Sequence, residues 1–199
     1  DSVKTLGICK KINKTLTQKQ KVIVLIKLLE LVESDKNFTA QRMEIINTVS
    51  TVFNIDPEEY KVIEAFTIAE TTDQLNYPDI LLVDNKPDKS APLQKHVHAH
   101  MEGTLTFVRI RSVDMYFTQY LGEESMVLNG FIMQPYRVYL FSHGSTIKTQ
   151  GGDALYYSDL VADFNDEIKT TRLSFNARVE EFKFPNGAIG LRDVVISEG

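Results

Sequence analysis

The spacing of apolar residues changes once along this chain of 199 residues, and that change restricts the fold more than any other feature. Up to about residue 76, apolar residues recur every three or four positions, which is the period of helices packed on a core. From residue 96 to about residue 160 they alternate, which is the period of strands with one buried face. The sequence therefore predicts an α+β chain, with a four-helix bundle over residues 1–76 followed by an antiparallel β-sandwich over residues 77–172.

The helical part is predicted from apolar stripes and from N-caps. Residues 18–33 carry the clearest stripe, which consists of Val22, Leu25, Ile26, Leu29 and Val32. The stripes of the opening, third and fourth helices are Ile8, Ile12 and Leu16; Ile45, Ile46, Val49, Val52 and Phe53; and Tyr60, Ile63 and Phe66 or Thr67. Thr39 is the expected N-cap of the third helix. Asp56 followed by Pro57 is a typical start for the fourth.

The β part is predicted from alternation and from turn residues. Residues 80–83 form an apolar strand, and residues 84–92 a turn or exposed loop. Asn129 and Gly130 lie between two apolar triplets, and this dipeptide favours a type I′ turn because both central positions need positive φ. Further turns are expected at residues 143–145 and 149–153.

Composition excludes some classes of protein. The formal net charge of −5 gives no basic footprint for nucleic acid. The single cysteine, Cys9, rules out an internal disulfide and fits a reducing compartment. We recognise no signal peptide at the start, and the longest apolar run, residues 22–32, is too short for a membrane span. We therefore expect a soluble, cytoplasmic chain.

A row of histidines gives the first candidate site. His96, His98, His100 and Glu102 would share one face of a strand, while Val97, Ala99, Met101 and Leu105 would share the other and pack on the core. Two interpretations stay open: a solvated sheet face, or a site for zinc, iron or nickel. The spacing of His96, His98 and Glu102 resembles the first metal motif of the cupin barrels. Arg109 stands where that motif has a glycine, and no second cupin motif follows.

The helical part is similar to the tellurite-resistance TerB-like family on a short stretch between two helices. Asp35, Phe38 and Thr39 match the register of that family's turn. Lys36 stands where the family has glycine, and Arg42 where it has glutamate. These two substitutions put positive charge where the family's acidic metal site would hold a cation, so we interpret the stretch as a structural turn and cap.

The β part resembles the second half of a forkhead-associated domain. The resemblance rests on Leu128-Asn129-Gly130 and on Gly144-Ser145-Thr146-Ile147. It implies a β-sandwich that can bind a phosphothreonine peptide. The Gly-Arg and Ser-x-x-His elements that such binding requires are not found between residues 80 and 115, although Arg109 and Arg111 lie on one face. We expect a phosphate-independent scaffold, with a phosphopeptide ligand as the alternative.

The closing segment, residues 179–199, resembles the opening of an ATP-binding cassette (ABC) ATPase domain. Phe182 and Phe184 alternate, Pro185-Asn186-Gly187 forms a turn, and Leu191, Asp193, Val194 and Gly199 keep the family's register. The resemblance implies that Phe184 stacks on adenine. The family's phosphate loop, G-x-x-x-x-G-K-[ST], does not occur in these residues. We therefore expect residues 173–199 to be the incomplete start of an ATPase domain, with ATP and Mg²⁺ bound only by the parent protein.

These resemblances together predict the N-terminal region of a bacterial ABC transporter ATP-binding protein, cut before its phosphate loop. Its expected role is regulatory or adaptor and not catalytic. Its expected partners are the transporter membrane subunit or the attached ATPase domain, with a protein or phosphopeptide ligand and a homodimer as further options; no nucleic acid is expected. Through the transporter it would lie at the cytoplasmic side of the inner membrane. The rival hypothesis is a cupin-like metal-binding protein or metal-dependent enzyme that uses His96, His98, His100 and Glu102.

Overall fold

The computed structural model describes residues 2–34, 39–87, 91–149, 151–165, 175–183 and 189–198. It divides into two compact units, Asp1–Phe164 and Asn165–Gly199. Helices and strands both contribute to the first unit, so the predicted α+β class is confirmed. The boundary expected near residue 77 marks the change from helix to strand and falls inside this first unit.

The third and fourth helices begin where their capping residues predict. The first four are α1 (Ser2–Thr15), α2 (Gln18–Ser34), α3 (Ala40–Val52) and α4 (Pro57–Ile68), and α5 (Tyr157–Asn165) follows the strands. The Thr39 side chain accepts a hydrogen bond from the backbone N–H of Arg42. Asp56 Oδ1 accepts from the backbone N–H groups of Glu58 and Glu59, at 2.9 and 3.0 Å. Both caps satisfy N–H groups that a helix start leaves without an internal partner.

The strands of the first unit form two sheets. The five-stranded sheet has the order β2-β1-β3-β4-β7, with β1 (Ile80–Asp84), β2 (Lys95–His98), β3 (Thr104–Ile110), β4 (Met115–Leu121) and β7 (Val138–Phe141). The four-stranded sheet has the order β6-β5-β8-β9, with β5 (Met126–Leu128), β6 (Phe131–Met133), β8 (Thr146–Lys148) and β9 (Ala154–Tyr156). One pair departs from the predicted antiparallel arrangement, because β1 and β2 run parallel. The long connection between them lets the chain return to the same end of the sheet.

The five-stranded sheet has a core on each face. One core joins it to the helices, and its members include Val22, Leu29, Ile63, Phe66, Ile80, Val108 and Phe117. The other joins it to the four-stranded sheet and α5, and its members include Leu105, Phe107, Tyr120, Met126, Ile147 and Phe164. The helical stripes are therefore buried against a sheet as well as against one another, which explains why every residue of β3 and β4 is buried.

Two residues of the predicted helical stripes are exposed. Ile45 has 40% of its surface exposed and Ile8 has 59%. Ile45 lies in an open groove of about 290 Å³ between α2 and α3, which Leu28, Leu31 and Ile46 also line. The period of the sequence places Ile45 near the apolar side of the helix, but the groove beside it leaves the side chain uncovered.

The hairpin predicted at Asn129-Gly130 is confirmed. β5 and β6 pair antiparallel, and Asn129 and Gly130 have φ values of 52° and 87°. The positive φ at both positions is the conformation that this dipeptide adopts most readily.

Among its described residues, the second unit contains one strand pair. β10 (Phe175–Lys183) and β11 (Ile189–Glu198) pair antiparallel, with Phe182 opposite Leu191. This confirms the predicted strand pair. Phe184 and the turn at Pro185-Asn186-Gly187 lie outside the described residues, as do Asp35, Lys36 and Phe38 of the TerB-like stretch.

Candidate functional site

The most exposed large apolar side chains lie on the β5–β6 hairpin. Among the residues that the structure describes, Phe131 and Ile132 are the most exposed large apolar residues, with 79% and 70% of their surfaces exposed, while Met133 is buried at 1%. β6 is the edge strand of its sheet, so its first two residues extend past the core that Met133 joins. Adjacent exposed aromatic and branched side chains on one short strand are typical of a surface that contacts another protein.

The same stretch of chain exposes two further apolar residues, Tyr136 and Leu140. Their exposed fractions are 47% and 43%. We refer to residues 131–140 as the 131–140 segment. It connects the edge strand of the four-stranded sheet with β7, the edge strand of the five-stranded sheet, so it joins one edge of each layer.

A network of hydrogen bonds fixes the base of this hairpin. The backbone N–H of Asn129 donates to the carbonyl of Thr146, and the Thr146 N–H donates to Asn129 Oδ1, both at 2.9 Å. Asn129 Nδ2 reaches Ser145 Oγ at 3.4 Å, and that oxygen also accepts from the N–H of Ser142 at 3.1 Å. The residues that carry the forkhead-like resemblance are therefore in contact with one another, and they hold the hairpin in place.

The two arginines considered for phosphate binding share one carboxylate. Arg109 Nε donates to Asp79 Oδ1 at 2.9 Å. Arg111 Nε donates to both oxygens of Asp79, at 2.8 and 3.0 Å. The Arg109 guanidinium also lies 5.2 Å from the centre of the Phe164 ring. We call Asp79, Arg109 and Arg111 the arginine cluster.

The cleft beside the arginine cluster is rich in acid. Its volume is about 340 Å³, and its charged lining residues are Asp56, Glu58, Glu59, Asp79, Arg109 and Arg111. Glu59 is engaged with the backbone N–H of Ser112 at 3.2 Å and with the hydroxyl of the same residue. Four carboxylates against two guanidiniums make the cleft unfavourable for a phosphate dianion.

The histidine row does not form one continuous strand face. β2 ends at His98, so His100 and Glu102 lie beyond it, contrary to the prediction of a shared face. His96 Nε2 is 2.8 Å from Asp84 Oδ1. The rings of His98 and His100 meet edge to face, with centroids 5.4 Å apart and planes at 85°. The opposite side is as predicted, since Met101 and Leu105 are buried in the core and Val97 and Ala99 pack against it.

Asp84 is a buried carboxylate with three hydrogen-bond donors. Its Oδ1 accepts from His96 Nε2 and from the backbone N–H of Lys86 at 3.0 Å, and its Oδ2 accepts from Thr104 Oγ1 at 3.0 Å. Burial by itself would raise the pKa of Asp84, but these hydrogen bonds and the nearby His96 hold the pKa below its usual range. The carboxylate therefore stays ionised while it ties three segments of the chain together.

Within the described part of the chain, no group of three or more His, Cys, Asp or Glu side chains is arranged to hold a metal ion. His96, His98, His100 and Glu102 all belong to this part, so they do not converge on one point as a set of four. Metal binding at the row stays a prediction. The adenine-stacking role of Phe184 also stays a prediction, since that residue lies outside the described ranges.

No protein-family model matches the chain. Comparisons with curated proteins and with solved structures gave no match either. The resemblances to the TerB-like, forkhead-associated and ABC families therefore remain predictions that rest on the residues named for them. Among the described residues, no helix has the length and apolarity that crossing a bilayer requires.

Sequence reasoning missed the three acidic residues that organise these sites, Glu30, Asp79 and Asp84. Asp84 was assigned to a loop, although its position directly after four apolar strand residues was a usable signal. Asp79 lies one residue before β1, and Glu30 interrupts an otherwise apolar run in α2. Apart from the Lys86 N–H and Lys27, which are close in sequence, their partners are 12 to 108 residues away in the chain, so only the fold shows that these groups meet.

Proposed function

We propose that this chain is a regulatory or adaptor region of an ABC transporter ATP-binding protein and that its task is to hold a partner domain, not to perform chemistry. The observation that carries the proposal is the exposure of Phe131 and Ile132 on a hairpin with a rigid base. Exposing two large apolar side chains at a strand edge favours aggregation, so this surface is best explained by a partner that covers it.

At the level of the fold, we propose a TerB-like four-helix bundle for α1–α4 and a forkhead-like sandwich for the two sheets. The contact between Asn129 and Thr146 supports the second assignment, because it joins the two motifs on which the resemblance rests. The core shared by the two sheets also supports it, since a sandwich buries the inner faces of both.

The closing strand pair is proposed to be the start of the ATPase domain. Two observations support this: β10 and β11 pair with each other, and they belong to a compact unit that begins at Asn165. In the parent protein Phe184 would contact adenine. ATP and Mg²⁺ would be held by the phosphate loop expected beyond this strand pair.

The arginine cluster favours a ligand other than a phosphopeptide. Arg109 and Arg111 both bind Asp79, and three further carboxylates line the adjacent cleft. A phosphate would have to displace a carboxylate and approach the others against like charge. We therefore place the partner surface on the 131–140 segment.

We propose the attached ATPase domain as the occupant of this surface. A tethered domain is present at an effective concentration in the millimolar range, so a small apolar contact is sufficient to hold it. A short exposed strand such as β6 fits this weak, reversible type of contact better than a permanent dimer interface, which needs a far larger apolar area.

Photo-crosslinking tests this assignment on the natural gene product. A benzoyl-phenylalanine is placed at Phe131 and, as a matched control, at Tyr156. Tyr156 is 51% exposed and lies on β9, the opposite edge strand of the same sheet. We expect crosslinks from position 131 into a segment that carries a phosphate loop, and few from position 156. Equal, scattered crosslinking from both positions would refute the docking surface. Crosslinks from position 131 to the membrane subunit would show that this subunit, and not the ATPase domain, occupies the surface.

A further inference from the structure

The pair His98–His100 carries an inference that does not depend on the proposed adaptor function. The two rings lie together on the surface, with centroids 5.4 Å apart and planes nearly perpendicular. Both residues are exposed, whereas His96 is engaged with Asp84. The row of three histidines therefore divides into one residue bound inside the fold and two that face solvent as neighbours.

The distance between these rings suits a shared tetrahedral ion. A zinc–nitrogen bond of about 2.0 Å and a nitrogen-to-centroid distance of about 1.1 Å place each ring centre about 3.1 Å from the metal. Two such rings at the tetrahedral angle have centroids about 5 Å apart. The observed separation of 5.4 Å is close to this value. The proposal requires the imidazoles to rotate about their own side-chain bonds so that one nitrogen of each is aimed at a common ion.

The backbone that carries both rings is held in place. The N–H of Ala99, between the two histidines, donates to the carbonyl of Asp84 at 2.8 Å. On the other side, Gly151 packs so closely that an added Cβ would lie 2.8 Å from the carbonyl oxygen of His100. A fixed backbone reduces the entropy that the two ligands lose when they bind the same ion.

The nearby charges favour a cation. His98 is the register partner of Asp84, whose carboxylate is ionised, and Glu102 follows two residues after His100. The ammonium group of Lys95, on the same strand, donates to the carbonyl of Phe164. Lys95 pairs in register with Leu81, and Leu81 belongs to the core on the other face of the sheet. The position of Lys95 in the register thus separates its positive charge from the two imidazoles.

We propose that His98 and His100 chelate one divalent transition-metal ion that accepts tetrahedral nitrogen coordination, with Zn²⁺ as the representative ion. Water completes the coordination, because the pair lies at the surface and supplies two ligands. His96 is not a ligand in this proposal, because no group of three such side chains in the described part of the chain is arranged to hold a metal ion. The site is thus a two-histidine chelate and not the four-residue set expected from the sequence.

Isothermal titration of the tag-free chain with ZnCl₂ at neutral pH tests the proposal. We expect one zinc ion per chain. Replacing either ligand, in His98→Ala or His100→Ala, removes the chelate and should weaken binding about 100-fold. His143→Ala is the matched control, since His143 is an exposed histidine in a different turn, and it should bind as the wild type does.

Imidazole NMR resonances give a second, site-specific measurement. Zinc should shift the ring signals of His98 and His100 and leave those of His143 in place. Three results would each overturn the proposal: no zinc binding by the wild type, unchanged binding by the double variant His98→Ala/His100→Ala, or an equal loss in the His143 variant. Because both ligands are exposed, the variants should fold, and unchanged circular dichroism confirms this.

Discussion

Removing the Asp84 carboxylate should destabilise the first unit strongly. In Asp84→Ala, His96 Nε2, the Lys86 N–H and Thr104 Oγ1 all lose the oxygen they bind. The Asp84 side chain is 2% exposed and that of His96 is 11% exposed, so water replaces the lost acceptor poorly. The pair also connects β1 with β2, which is an edge strand and is paired with no other strand in the five-stranded sheet.

The expected loss can be bounded from the structure. Breaking a buried charged pair by removing one partner costs about 3–5 kcal/mol. We take the lower end, about 3 kcal/mol, because His96 is partly accessible and can turn toward water. For a unit of 164 residues, a loss of this size lowers the melting temperature by about 9 °C. The matched control Asp153→Ala removes an exposed aspartate and should change the stability by less than about 0.5 kcal/mol.

Urea unfolding followed by circular dichroism measures both variants, and pH gives a further check. The pKa of Asp84 is lower in the folded chain than the value of about 3.9 expected when it is unfolded. The stabilisation that the Asp84 carboxylate contributes is therefore complete above about pH 4, and it is lost as the pH falls through the pKa of Asp84 in the folded chain. The difference in the free energy of unfolding between wild type and Asp84→Asn should be present at neutral pH and should disappear in acid. The reasoning would be refuted if Asp84→Ala lowered the free energy of unfolding by less than about 1 kcal/mol. It would also be refuted if the difference between wild type and Asp84→Asn did not change with pH.

Three further predictions concern other parts of the fold. Glu30 is 6% exposed and accepts a hydrogen bond from the Val138 N–H at 2.7 Å. Glu30→Ala should therefore lower the free energy of unfolding in urea by about 2 kcal/mol. Lys27, the partner of Glu30, is exposed, so Lys27→Ala should lower it by only about 0.5 kcal/mol. Equal losses would contradict this. Burial, and after it the charge of Glu64, raise the pKa of Tyr60 to about 12. Titration followed by ultraviolet absorbance should therefore show one phenol that ionises at higher pH than an ordinary tyrosine. The stabilising contribution of that phenol is complete below about pH 10 and is lost as the pH rises to about 12; Tyr60→Phe should remove this loss. A phosphothreonine peptide array should give no binding above its unphosphorylated controls, and selective binding would return the arginine cluster to the phosphopeptide hypothesis.

Local signals predicted much of the local structure. The caps at Thr39 and Asp56 and the turn at Asn129-Gly130 depend on neighbouring residues, and all three are confirmed. Apolar period likewise predicted the buried apolar residues of α2 and α4, although Val32 is only partly buried and the buried Glu30 was not predicted. These features are readable from sequence because the physical cause and its effect lie within a few positions.

The rest depends on contacts between distant residues. The join between the helices and the sheet, for example, uses Glu30 of α2 and Val138 of β7, which are 108 positions apart. The parallel pairing of β1 with β2 places His96 beside Asp84, and the alternation of residues alone gave no sign of it. The metal-site interpretation of the sequence therefore placed four ligands along one strand, whereas the fold engages His96 with Asp84 and leaves His98 and His100 as an exposed pair.

The natural coding sequence that follows Gly199 tests the central claim most directly. The account predicts that it reads into a phosphate loop of the form G-x-x-x-x-G-K-[ST] within roughly a few tens of residues. It also predicts that the whole product hydrolyses ATP and loses this activity when the loop lysine is replaced. A stop codon at that point, or a following domain without such a loop, would contradict the claim that this chain regulates an attached ATPase.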